Sequence, residues 1–167
     1  MRSSLDLSSK SIARPTFTGI VAVSLAAVGA ALVSQHMFAM QPCPWCILQR
    51  LIFLAIALIG AMGMLWRGGT GRIVSGSLIV MFALAGAACA VWQHFVATKS
   101  SCSFTLADKI ISRYLKIDSV LPAVFEARAT CADAAINLFG VPYEFWSLAL
   151  FAAIAVAAGL CVGAARK

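Results

Sequence analysis

The stretch Cys43-Pro44-Trp45-Cys46-Ile47-Leu48-Gln49-Arg50, continuing through the apolar run 51–66 (LIFLAIALIGAMGMLW), decides the fold of this chain. From Cys46 to Trp66 the run is long enough for a helix to cross a bilayer, which takes about 20 residues, and Arg50 alone interrupts it. A CxxC pair therefore stands where water meets lipid. Such a pair switches between dithiol and disulfide with little backbone movement, and thiolate stability and access set its reactivity.

Three further stretches have the same character, at about 17–36, 73–95 and 145–163. With 62% hydrophobic and only 11% charged residues among 167, the composition is that of an integral membrane protein. The expected fold is all-α: one antiparallel four-transmembrane-helix bundle. Its outer loops are expected at about 37–45 and 98–144. A cleaved signal peptide at the first span is disfavoured, because the apolar run exceeds the usual h-region of about 7–15 residues and cleavage would leave CPWC near the new terminus.

The net charge of +7 does not indicate nucleic acid, because no aromatic-basic recognition module accompanies it. Its placement reads as topology. Arg2, Lys10 and Arg14, then Arg67 and Arg72, then Arg166 and Lys167 share one side, with only Asp6 against them. The first loop of the other side has no charge, and 98–144 balances five basic with five acidic residues. By the positive-inside rule both termini are expected to be cytoplasmic. Cys43, Cys46, Cys102 and Cys131 then fall on the non-cytoplasmic side, where disulfides persist, while Cys89 and Cys161 lie within spans and read as small buried hydrophobes.

Pro42 and Pro44 suit a chain running into a helix, whose first amides lack partners. Cys46 is thereby set near the first turn, where the positive end of the helix dipole favours a thiolate. Arg50 follows on the same face, about 6 Å deeper. An arginine at membrane depth costs up to about 2.5–3.5 kcal/mol. It either snorkels to head groups or serves as a fixed cation for the Cys46 thiolate and a reduced, anionic electron acceptor. Gln93 and His94 end the third span at similar depth, and His94 is a candidate proton donor to a quinone oxygen.

The long loop carries Leu106, Ile110, Tyr114, Ile117 and Leu121 at helical spacing, either a short amphipathic helix in the interface or an ordinary packed loop helix. Cys102 and Cys131, with 28 residues between them, would close a loop worth roughly 3–4 kcal/mol as a structural disulfide. Alternatively they form a working pair that exchanges with CPWC. Four outer cysteines allow three connectivities. A soft-metal-binding or transporting membrane protein is the reading from another class. CxxC is a zinc-ligand spacing too, but no second knuckle appears, so no metal site is expected.

Gln35-His36-Met37 followed by Gln41-Pro42-Cys43-Pro44-Trp45-Cys46-Ile47-Leu48-Gln49-Arg50 resembles the signature of the disulfide bond formation protein B family, bacterial inner-membrane thiol oxidases coupled to quinone. The likeness extends to the histidine ending helix three, the two loop cysteines, and Phe139-Gly140-Val141-Pro142-Tyr143-Glu144-Phe145-Trp146 leading into helix four. The resemblance implies that Cys102 accepts attack from a periplasmic thioredoxin-fold dithiol oxidase (DsbA-like), with Cys131 as its disulfide mate. It implies that Cys43 exchanges with the loop pair, and that Cys46 faces ubiquinone or menaquinone beside Arg50 and His94. Tyr143 and Trp146 fall where the family lines its quinone pocket. The Pro-Trp interior and Gln49 depart from the pattern, and they bear on redox potential and partner preference. The vitamin K epoxide reductase type also joins CxxC to quinone, but its motif lies late in the bundle.

Overall fold

The computed structural model describes residues 2–66, 68–95, 127, 129, 137–138 and 140–166. Cys102, Cys131 and the periodic segment 106–121 lie outside the described residues. Four long helices dominate: α1 (Arg2–Met37), α2 (Pro44–Leu65), α3 (Gly69–Phe95) and α4 (Tyr143–Ala165). The parts long and apolar enough to span a membrane are Arg14–Met37 and the whole of α2, α3 and α4. A two-residue ribbon, β1 (Asn137–Leu138) paired antiparallel with β2 (Val141–Pro142), leads directly into α4. Gly140, between the strands, has a φ of 80°, a conformation open to glycine at no steric cost.

Consecutive helices pack side by side, and α4 closes the ring against α1. The described connections α1–α2 and α2–α3 are too short for anything but antiparallel neighbours. The C-terminal ends of α1 and α3 therefore meet the N-terminal ends of α2 and α4 at one end of the bundle. CPWC sits at that end.

Local chemistry explains why α2 starts where it does. Cys43 is extended (φ −85°, ψ 165°) and acts as N-cap, its sulfur accepting from the Cys46 backbone amide at 3.4 Å. Pro44 occupies the first turn, where its missing N–H costs nothing. One of the two motif cysteines thus has a structural duty besides any chemistry.

Along the axis the core is apolar and tightly filled. Phe53 of α2 and Phe151 of α4 stack with centroids 4.0 Å apart and planes 7° from parallel, among Ile52, Ile56, Ile79 and Ile154. Leu25, Leu58, Leu84 and Leu160, one from each helix, are more than half exposed. A bundle that is apolar outside as well as inside is solvated by lipid, so this is a multi-pass membrane protein.

Small residues let the backbones approach. A Cβ at Gly86 would lie 2.5 Å from the Phe151 ring, and one at Gly76 would lie 2.5 Å from Val162 Cγ2. Phe151 is fully buried and stacked, so it has no room to yield. Gly86→Ala is expected to destabilise the bundle by about 1–3 kcal/mol as overpacking, read as a lowered Tm in detergent. Gly159→Ala, where a Cβ meets nothing, serves as the neutral control.

Candidate functional site

Buried polar side chains are rare in this bundle, and five of them gather at the CPWC end: Gln35 from α1, Gln49 and Arg50 from α2, Gln93 from α3, and Glu144 from α4. A polar group in an apolar surrounding is costly unless hydrogen-bonded. These five carry hydrogen bonds, and the bonds organise the site.

Cys43 Sγ and Cys46 Sγ lie 3.0 Å apart, a thiol–thiol contact that needs about 1 Å of approach to become a bond. Cys43 is fully buried with Trp45, whose ring tilts against Trp92 at 6.5 Å, while Cys46 is half-buried. Cys89 is only half-buried and packs against this Cys43–Trp45 cluster, whereas Cys161 is buried, as expected of a small hydrophobe.

Gln93 Nε2 donates to Cys46 Sγ at 3.4 Å, and Gln93 Oε1 accepts from Gln49 Nε2 at 2.8 Å. This chain of two amides crosses from α2 to α3 and back to the sulfur. It fixes which way the Gln93 amide points. Gln93→Leu removes a donor worth about 1 kcal/mol to the thiolate form of this sulfur, so alkylation of Cys46 at neutral pH is expected to slow roughly fivefold. Stopped-flow labelling in a background with Cys43, Cys89, Cys102, Cys131 and Cys161 all replaced isolates that thiol.

Arg50 lies one turn deeper. Its Nη1 donates to Gln35 Oε1 at 2.7 Å and its Nη2 donates to the Ala31 carbonyl at 3.2 Å. Both partners belong to α1, so the guanidinium is turned inward across the bundle rather than snorkelling to head groups. On the other side, His94 Nδ1 and Glu144 Oε1 are 2.7 Å apart, linking α3 to α4.

These groups surround a cavity of about 230 Å³. From α2 it receives Cys46, Gln49, Arg50 and Phe53, and from α3 Gln93; from α4 it receives Tyr143, Glu144, Trp146, Ser147 and Leu150. Its α1 wall is Ala27, Ala30, Ala31 and Ser34. A small recess beside it is bordered by Cys46, Arg50, Tyr143 and the loop residues Met40, Gln41 and Pro42. The walls are predominantly apolar with a few placed polar groups, the usual constitution of a small-molecule site.

The structure thus brings Cys43, Cys46, Arg50, Tyr143 and Trp146 to one end of the bundle, the last four on the wall of one cavity. His94 is at the same end but stands behind Glu144, which takes the place on the wall. Gln35, Gln49 and Glu144 join the site through the fold rather than through the motif. Their signal is a single amide or carboxylate near the end of an otherwise apolar helix. Among the described residues no group of three or more His, Cys, Asp or Glu side chains is placed to hold a metal ion.

Comparison with known proteins places this architecture. Residues 13–161 match the family described as "Disulfide bond formation protein DsbB". "Disulfide bond formation protein B" of Burkholderia pseudomallei (strain 1106a) is 33% identical over 136 residues, covering 80% of each chain. The protein of the same description from Aromatoleum aromaticum is 30% identical over 159 residues, 92% of this chain and 93% of that one. "Disulfide bond formation protein B 1" of Pseudomonas fluorescens is 32% identical over 149 residues, 87% and 86%. With a family match over most of its length and a CxxC pair set in a four-helix membrane bundle, this chain belongs to the disulfide bond formation protein B family and is a membrane disulfide oxidoreductase.

Proposed function

We propose that the protein reoxidises a periplasmic thioredoxin-fold dithiol oxidase and passes the electrons to ubiquinone or menaquinone in a bacterial inner membrane. The observation that carries this reading is the shared wall: Cys46 and an inward-turned Arg50 border one largely apolar cavity at membrane depth. The basic residues of both termini and of the α2–α3 turn support a cytoplasmic side opposite the cysteines.

The cavity suits a flat quinone headgroup. It is below the roughly 300–1,000 Å³ of drug-sized sites, with the flat walls of Phe53 and Trp146 and the Arg50 donors available to a ring oxygen. A quinone bound there supplies an acceptor for two electrons and two protons. The chain's own groups divide the remaining work.

The partner's dithiol is oxidised as the Cys102–Cys131 disulfide is reduced, and the loop dithiol is oxidised in turn as a Cys43–Cys46 disulfide is reduced. Cys43 and Cys46 then re-form their S–S bond, giving up two electrons. Cys46 is the member on the cavity wall, and in this reading Cys43 takes the exchange with the loop pair. Arg50, held by Gln35 and the Ala31 carbonyl, keeps a positive charge beside the developing anion, and the Gln93 amide keeps a donor on Cys46 Sγ.

The test is reduction of short-chain ubiquinone and menaquinone by the detergent-solubilised protein, with a reduced thioredoxin-fold dithiol oxidase as electron source. Turnover with either is expected. Cys102→Ser is expected to block electron uptake from the partner, and Cys131→Ser to hold the partner on Cys102 as a stable mixed disulfide. If a Cys43/Cys46 double serine variant still reduced quinone from the reduced partner, the reading would fail.

A further inference from the structure

The reduction proposed above leaves a question of protons. Two thiols give up two electrons and two protons as the Cys43–Cys46 bond forms, and the acceptor takes up the same number of each. Thiol exchange, however, runs through thiolates, so thiol protons leave to water before the electrons move. The cavity then needs its own connection to water.

Glu144 and His94 are built as such a connection. Glu144 is only 5% exposed by its side chain, on the cavity wall, in the first turn of α4; His94 is 33% exposed, in the last turn of α3. Their 2.7 Å contact joins cavity to surface. Phe145 at 4.7 Å and Phe95 at 5.0 Å flank the imidazole. An ionisable group at membrane depth is expensive and marks a functional path more often than a fastening.

The other ionisable groups on the cavity wall are Cys46 and Arg50 of α2 and Tyr143 of α4; α1 contributes none. Arg50 holds a fixed charge and supplies no proton, because an arginine does not deprotonate in proteins. Cys46 is the reacting sulfur. Among the described wall residues, Glu144 is the carboxyl able to give up a proton and be recharged.

We infer that Glu144 and His94 form a proton relay, in which Glu144 delivers protons into the cavity that holds Cys46 and Arg50, and His94 recharges it from water at the CPWC end of the bundle. In each delivery the Glu144 O–H bond breaks, the proton passes into the cavity, and a proton from the imidazolium restores the acid. His94 then takes its proton from water. The inference rests on the quinone reading and assigns the proton path for that site.

Glu144→Gln is the decisive variant, because an amide preserves the shape and the hydrogen bond to His94 but carries no exchangeable acid. If the pair only fastened α3 to α4, this change would be silent. As a relay it is expected to lower kcat for short-chain ubiquinone reduction on the order of 100-fold, with the KM for quinone and the Tm little changed. Glu144→Ala, which opens space, is expected to regain rate with added formate.

Quinone-free protein provides an independent readout. Dithiol-minus-disulfide infrared difference spectra are expected to carry a carboxyl band that vanishes in Glu144→Gln and changes frequency in His94→Gln. Wild-type protein that reduces neither quinone would sink the quinone reading and the relay with it. Wild-type turnover with Glu144→Gln within twofold of it, or no carboxyl band lost in that variant, overturns the relay alone. Should Glu144→Gln not accumulate in membranes, His94→Gln kinetics and the frequency change of the band decide the matter.

Discussion

Cys46→Ser is expected to reduce quinone turnover to background while leaving the bundle intact. A hydroxyl cannot close a bond to Cys43, and a single remaining thiol cannot deliver two electrons. The fold has little reason to notice: α2 is capped by the Cys43 sulfur accepting from the Cys46 backbone amide, and that amide survives the change. The expected unfolding free energy is within about 0.5 kcal/mol of wild type, as for substitutions that remove no cap or core packing. Cys43→Ser is the instructive companion. Serine is a strongly preferred N-cap, so this variant keeps the start of α2 and still loses the redox couple. Anaerobic absorbance of the quinone, followed beside thermal unfolding in the same detergent, checks both. Substantial turnover in Cys46→Ser would remove Cys46 from the reacting position.

Arg50→Met is the second large effect. Two donors from the guanidinium disappear, one to Gln35 Oε1 and one to the Ala31 carbonyl, and the cavity loses its fixed cation. Hydrogen bonds to a charged group contribute about 1.5–3 kcal/mol each. One such bond to a ring oxygen corresponds to roughly a 10- to 100-fold rise in the KM for quinone. Arg50→Lys is expected to recover only part of this, because an ammonium is a point donor and does not reproduce the planar fork. The measurement is KM for short-chain ubiquinone at saturating reduced partner. An unchanged KM in Arg50→Met would place the acceptor elsewhere.

The two variants differ in what they say about legibility. That Cys46 and Arg50 share a helical face follows from their spacing alone. That Arg50 turns toward α1 does not, since an arginine near a membrane surface has head groups as an alternative partner. Gln35 decides it, from a helix whose connection to α2 is short and whose last turn happens to face the guanidinium. His94 makes the same point in reverse. Its depth is readable from the length of α3, and its place behind Glu144 requires knowing how α4 is rotated. Tyr143 and Trp146, three residues apart at the start of α4, both reach the cavity with Ser147 and Leu150, which spacing on one helix permits and only packing selects.

Hydropathy and charge are one-dimensional properties, and what depends on them was determined by the sequence itself: four spans, their antiparallel order, and a CxxC pair with a following arginine at one end. A helix rises 1.5 Å per residue whatever its neighbours are, so depth along the axis can be counted. Rotation about each axis and the closeness of neighbouring backbones cannot, because they arise from three-dimensional packing, such as Phe151 over Gly86 and Val162 over Gly76. The tertiary structure alone decided that four helices each turn a polar side chain to the same end, converting a redox motif at a membrane edge into a cavity with a sulfur, a cation and an acid on its walls.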